Sequence, residues 1–258
     1  TDATVSSGYK SSKTGFNFGT EFEQLEGVYL SPSLSIVFED IEAESTATAA
    51  VKKQEGSFSN IDFTYGVTID KRNQSFEPTS GYVSKFTQSL PLLFDKSSIL
   101  NSFNATTYHG FSENVIGATR FLGQMITGVK GEDVRLTNRL FIPQNRLRGF
   151  NVRKVGPKDG IDWIGGNYIT AVGFEAKLPN LLPEATKTDL SVFIDVANVW
   201  GVDFNSSIKD TNQLRSAVGV AANVFTILGP LSFTLAQDLA KASTDETQTF
   251  NFRIGTSF

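Results

Sequence analysis

Most of this chain alternates between apolar and polar positions with a period of two, the mark of strands with one covered face. After a short run over 4–9, Phe16, Phe18, Thr20 and Phe22 fall on one side and Asn17, Gly19, Glu21 and Glu23 on the other. Val28, Leu30, Leu34, Ile36 and Phe38 oppose Ser31, Ser33 and Ser35, with Pro32 suited to a bulge or a weakly paired stretch. A hairpin is predicted over 58–90. Ile61, Phe63, Tyr65, Val67 and Ile69 share one of its faces, Asn60, Asp62, Thr64, Thr68 and Asp70 the other, and turn formers crowd 72–81. Runs over 98–111 and 115–127 alternate more weakly. Beyond 167 the pattern is clean again: Tyr168, Val172, Phe174 and Leu178 oppose Asn167, Gly173, Glu175 and Lys177, and Val192, Ile194, Val196 and Trp200 oppose Ser191, Phe193, Asp195 and Ala197. Small residues fill 215–226, and Leu231, Phe233 and Leu235 lead the next strand. In the last run Phe250, Phe252, Ile254 and Phe258 stand against Asn251, Arg253, Gly255 and Ser257.

These runs amount to about twelve strands, each long enough to cross a bilayer at a tilt. Short turns (72–81, 112–116, 178–188, 227–230) alternate along the chain with longer polar connections (39–57, 128–166, 201–213, 239–248). Short turns at one rim and long loops at the other are the plan of an outer-membrane barrel. Glu21, Asp62, Glu175, Asp195 and Arg253 sit mid-strand on the polar face, which suits a watery interior. The predicted fold is therefore an all-β antiparallel transmembrane β-barrel. A soluble β-sandwich is the residual alternative.

The alternation stops from about Pro143 to Gly166. Arg146, Arg148, Arg153, Lys154 and Lys158 come in its place, among Gly149, Gly156, Pro157, Gly160, Gly165 and Gly166. A connection this long in a hairpin-built protein is functional or disordered, and the segment at about 142–166 is read as a loop folded back into the barrel. The phases of the flanking strands place Glu175 and Asp195 on the inner face of neighbouring strands. Two carboxylates side by side in a confined interior repel, and a guanidinium engages both with a fork of donors that lysine lacks. Arg148 is the predicted partner, with Gly149 allowing close approach or an unusual φ and Phe150 anchoring the loop. The acidic-to-basic stretch 39–57 reads as a solvated loop; a divalent-ion or lipopolysaccharide contact through Glu39, Asp40, Glu42 and Glu44 is the sharper alternative.

Composition narrows the chemistry. The chain holds 22 Phe and 22 Gly against one Met, one His and no Cys. Without Cys there is no disulfide, thiolate metal site or Cys nucleophile, and a lone His109 gives a catalytic triad or a histidine metal site little to work with. No catalytic residue, metal or cofactor is predicted. A net charge of −4 argues against nucleic acid as a partner. No apolar run is long enough for a transmembrane helix, and a mean hydropathy of −0.12 suits a barrel whose two faces average out.

Several of these stretches together carry a resemblance. They are Asp70 to Gly81 with its Phe76-Glu77-Pro78-Thr79-Ser80-Gly81, Leu147-Arg148-Gly149-Phe150, Gly156-Pro157 and Gly165-Gly166-Asn167. Further on come Glu175, Phe193-x-Asp195 with Val199-Trp200, Arg215-Ser216 with Gly219, Leu228-Gly229-Pro230-Leu231, and Phe250-Asn251-Phe252-x-Ile254-Gly255 with the terminal Phe258. In this order the chain resembles the barrel of the BamA-type assembly factors, the bacterial surface antigen group of outer-membrane proteins. The resemblance implies a sixteen-stranded barrel preceded by periplasmic repeats, with the first run here matching about the fifth family strand. Residues 1–258 are thus expected to be a barrel domain lacking its first strands and those repeats. It also implies a location in the bacterial outer membrane and a loop arginine held by Glu175 and Asp195. Clients, nascent outer-membrane β-barrel proteins, would be inserted at a lateral seam whose last-strand half is Phe250, Phe252, Ile254 and Phe258. Outer-membrane lipid or lipopolysaccharide and accessory assembly lipoproteins are the other implied partners. A protein-translocating pore of a related secretion branch and a passive porin stand as alternatives, separable by conductance.

Overall fold

Side chains of alternating character carry the chain through one long antiparallel meander. The computed structural model describes residues 2–6, 8–94, 97–179, 181–183, 187–208, 213–226 and 229–254. Its first elements are β1 (Asp2–Ser6), β2 (Tyr9–Gly19), β3 (Phe22–Leu25), β4 (Val28–Ala43), a single helical turn α1 (Ala49–Lys52) and β5 (Gly56–Asp70). Then follow β6 (Gly81–Phe94), β7 (Ser98–Ser112), β8 (Val115–Gly128), the two-residue strands β9 (Lys158–Asp159) and β10 (Asp162–Trp163), and β11 (Tyr168–Leu178). The chain ends with β12 (Thr188–Trp200), β13 (Arg215–Thr226), β14 (Gly229–Ala240) and β15 (Phe250–Ile254). One sheet runs β1-β2-β4-β5-β6-β7-β8-β11-β12-β13-β14-β15, with β3 also on β4, while β9 and β10 form a separate tiny hairpin. Every neighbour in the large sheet is a sequence neighbour or is separated only by β3 or by the β9–β10 insertion, so the topology is a plain up-and-down wall. The order ends at β1 on one side and β15 on the other, and among the described residues these two edges do not pair.

The wall is inverted relative to a water-soluble protein. Its large apolar side chains, among them Phe16, Phe18, Phe38, Phe103, Phe174 and Phe250, are exposed on the outer face, where hydrocarbon is their natural solvent. The buried side chains lie inside, between the sheet and the long segment joining β8 to β11. Leu147, Phe150 and Val155 of that segment pack with Leu122, Ile169, Val199 and Ala217 of the wall. Leu136 and Ile164 pack instead with Tyr9, Ile41 and Val51 near the other end of the sheet. One segment touching both ends means that the sheet wraps around it. The inward-folded loop is thus the core of the molecule, and the bonds Leu140 N–H to Gly166 O (2.8 Å) and Gly166 N–H to Leu140 O (2.9 Å) close its base.

The expected solvated loop over 39–57 needs correction. β4 continues to Ala43, and Glu39 faces inward, 2% exposed. Its carboxylate accepts from Ser11 Oγ at 2.8 Å and Thr137 Oγ1 at 3.2 Å, and lies 3.3 Å from Lys13 Nζ and 3.7 Å from Arg135 Nη1. Glu39 is polar because it faces hydrophilic partners inside, while Asp40 and Glu42, on the opposite face of the same strand, stay exposed. Phe258, Leu228 and Gly255 lie outside the described residues.

Candidate functional site

The site is built where β11 and β12 pair. Gly173 stands opposite Asp195 and Glu175 opposite Phe193. A Cβ on residue 173 would lie 2.9 Å from Asp195 Oδ1, so the glycine leaves room for the carboxylate to lean across the ladder. Arg148 meets it there: the backbone N–H donates to Asp195 Oδ2 at 3.1 Å, Nε to the same oxygen at 2.7 Å and Nη2 to Oδ1 at 2.9 Å. Nη1 donates to Glu175 Oε2 at 3.0 Å. The guanidinium lies 3.4 Å from the centroid of the Phe193 ring, a cation–π contact strengthened by exclusion of water. Asp195 is fully buried. Gly149, at φ +88°, then turns the chain, and a side chain there would press on Ala236 at 3.0 Å and Ala217 at 3.3 Å. Leu147 and Phe150, 2% and 3% exposed, drive the turn into the inner core.

A second cation completes the cluster. Arg120 of β8 places Nη2 3.2 Å from Glu175 Oε2 and 3.5 Å from Asp195 Oδ1. Two guanidinium groups thus face two carboxylates, a balanced set in a place where a single uncompensated charge is costly. Sequence reasoning missed Arg120 because β8 alternates weakly; the available signal was an arginine in phase with Ala118, Leu122 and Ile126, all inward. Phe193 was placed on the inner face, but nothing in the sequence marked it as the platform under Arg148.

The other cations of the loop also have assigned partners. Arg135 sits over Phe58, 4.7 Å to the centroid, beside Glu39. Arg139 pairs with Asp203, donates to Asn167 Oδ1 at 3.0 Å and covers Phe204 at 4.8 Å. Asp203 lies outside the strands. Burial pushes its carboxyl up, but the Val134 N–H, the Asn167 amide and Arg139 outweigh that and hold it below the ordinary carboxylate value. Arg146 donates to Asn104, and Arg153 covers Phe141 at 3.9 Å. Lys154 and Lys158 both lie against Trp163, at 3.9 and 3.8 Å. Among the described residues no group of three or more His, Cys, Asp or Glu could hold a metal ion.

The loop is also tied to the segment that precedes the last strand. Gln248 N–H donates to Gly149 O at 2.9 Å, Asn151 N–H to Glu246 O at 2.9 Å and Glu246 N–H to Lys154 O at 3.0 Å. Asp245 accepts from Gly156 N–H at 3.1 Å and from Arg215 Nε at 2.9 Å. Arg215 and Asp245 are both fully buried. This strap over 241–249 had no signal in the sequence beyond polar turn residues. It connects the loop motif to the last strand, where Phe250, Phe252 and Ile254 are exposed on the outer face and Phe252 packs on Phe233 at 5.0 Å. Phe250, Phe252 and Ile254 face away from Arg148, Glu175 and Asp195, and the strap joins the two sets.

Comparison with known proteins gives the chain a family. A model of the Omp85 superfamily domain matches residues 1–258. The outer membrane protein assembly factor BamA of Neisseria meningitidis serogroup B is 27% identical over 231 residues, covering 76% of this chain and 28% of that protein. The mouse sorting and assembly machinery component 50 homologue is 26% identical over 137 residues, 52% of this chain and 29% of the relative. The chain therefore spans under a third of the length of these relatives. Among solved structures, BamA from Haemophilus ducreyi lacking POTRA domains 1–3 superposes with a TM-score of 0.84 at 21% identity, over 95% of this chain and 54% of that one. CdiB from Acinetobacter baumannii shares the fold more distantly, with a TM-score of 0.61 at 13% identity over 95% of this chain and 41% of the other.

Proposed function

The chain belongs to the Omp85 superfamily of outer-membrane β-barrels, and from that membership we propose that it serves as an outer-membrane protein assembly factor. It folds client β-barrel proteins and inserts them into the membrane at the edge offered by its last strand. The observation that carries this reading is the locked loop. The segment between β8 and β11 packs on the inside of the wall and is fastened by Arg148 to Glu175 and Asp195, which favours a plugged wall over a wide passive pore. The work is then done at the wall itself. Among the described residues β15 pairs with β14 over Phe250–Ile254, and a client strand adding to its other side would satisfy its backbone N–H and C=O groups before meeting hydrocarbon. The role of Phe250, Phe252 and Ile254 is to keep that edge apolar outward.

No bond is made or broken in this reading, and no cofactor or nucleotide is needed. Nascent outer-membrane β-barrel proteins are the clients. Outer-membrane lipid or lipopolysaccharide and accessory lipoproteins are the further partners we propose, on the strength of the family alone. The test is reconstitution of the full-length protein in phospholipid vesicles with a urea-unfolded barrel client, followed by the gel-mobility shift of the folded form. Folding about tenfold or more faster than in empty vesicles, a barrier lowered by roughly 1.4 kcal/mol, is the expected result. Equal rates overturn the proposal.

A further inference from the structure

The outer face of the wall is apolar over most of its area, yet one hydrogen-bonded ladder of polar side chains crosses it. Tyr65 stands opposite Gln88, and Gln88 opposite Asn101, on β5, β6 and β7. All three point outward, because their strand neighbours Leu100 and Asn104 turn inward to the core and to Arg146. The Tyr65 hydroxyl donates to Gln88 Oε1 at 2.9 Å, and Gln88 Nε2 donates to Asn101 Oδ1 at 2.5 Å. The ladder runs in one direction and ends on the Asn101 amide N–H groups, which meet no acceptor among the described residues. Ile99 and Phe103 flank Asn101 along the same face, so this donor stands beside apolar surface, where an unmet donor is costly.

Beside Asn101 the wall is hollow. Gly123 lies between Phe103 and Thr170 in the ladder, and a cavity of about 320 Å³ opens over it, walled by Phe86, Phe103, Met125 and Tyr168. That is the size of a small-ligand site. A side chain at 123 would meet the Phe121 ring at 3.3 Å, so the wall does not fill the hollow itself. Its depth can be read from the aromatic rim. Asn101 pairs with Met125, Met125 with Tyr168, and Tyr168 with Trp200, whose rings stack at 5.6 Å. Stacked Tyr and Trp at the long-loop end of the strands mark the boundary between headgroups and acyl chains.

We propose that this hollow binds one acylated lipid of the leaflet on the long-loop side. Its chain lies along Gly123, Phe103 and Phe86, and its ester or amide carbonyl accepts from the Asn101 amide. A lipid brings an unpaired carbonyl to this depth, whereas the backbone carbonyls of a neighbouring barrel are already paired. The inference needs only the membrane placement of the wall and stands apart from the assembly function. It is tested by native mass spectrometry of the full-length protein in detergent with added dioleoylphosphatidylethanolamine. A single lipid retained under detergent washing that strips the rest is expected. Thr170→Phe, which fills the hollow from an exposed outer position, and Asn101→Leu, which removes the donor, should each weaken that retention about tenfold or more, with circular dichroism unchanged. A graded series of bound lipids with no favoured one-lipid species, or equal retention in both variants, overturns the proposal. So does a dimer peak replacing the bound lipid, which would assign the hollow to a second copy of the chain.

Discussion

Arg148 uses three donors on Asp195 and a fourth on Glu175 while lying flat on Phe193. A lysine has the charge but neither the fork nor the plane, so exchange of the two is not conservative here. Arg148→Ala leaves two inner carboxylates with only Arg120 against them, and should cost about 3–5 kcal/mol of stability. Arg148→Lys should fall between the two, and urea unfolding followed by the loss of heat-modifiable mobility reads both. Equal midpoints for the natural protein and the alanine variant would contradict this account of the cluster. The phases of β11 and β12 alone put Glu175 and Asp195 on the inner face, because both strands alternate cleanly. Arg120 and Phe193 were not legible as members of the cluster. One sits in a strand of small and weakly alternating residues. The other is an aromatic among polar neighbours, whose partner is set by a loop more than 40 residues away.

At the scale of elements, alternation located the strands better than it located their ends. β4 outruns its apolar pattern and reaches Ala43 because Glu39 and Ser11 satisfy each other inside the wall. Strand length was here set by inner polar partners that no local pattern reveals. The strap over 241–249 was hidden for a related reason. Asp245 looks like a turn residue in sequence and is in fact the counter-charge of Arg215, thirty places earlier and buried with it. Asp245→Ala removes the counter-charge of a fully buried guanidinium, which keeps neutral acceptors on Asn198 and Gln213, and frees the Gly156 N–H, at a cost of about 3–5 kcal/mol. Limited proteolysis should show both 241–249 and the loop at 142–166 becoming cleavable together. Cleavage of the strap alone would show that it does not hold the loop.

For the whole molecule, the plan of short turns and long loops was legible because the bilayer imposes it on the sequence twice, as strand length and as outward apolar side chains. The interior was legible only in part. Its long segment announced itself by losing alternation, but the way its cations are shared among Glu39, Asp195, Asp203 and the rings of Phe58, Phe141, Trp163 and Phe193 depends on the wrapped sheet. The central claim is that this segment occupies the inside of the wall and is locked there by Arg148. Single-channel conductance of the full-length protein in a planar bilayer tests it most directly. The account predicts small, erratic currents from the natural protein and a larger, steadier conductance from the Arg148→Ala variant. A wide and stable pore in the natural protein, or currents identical in the two, would contradict it.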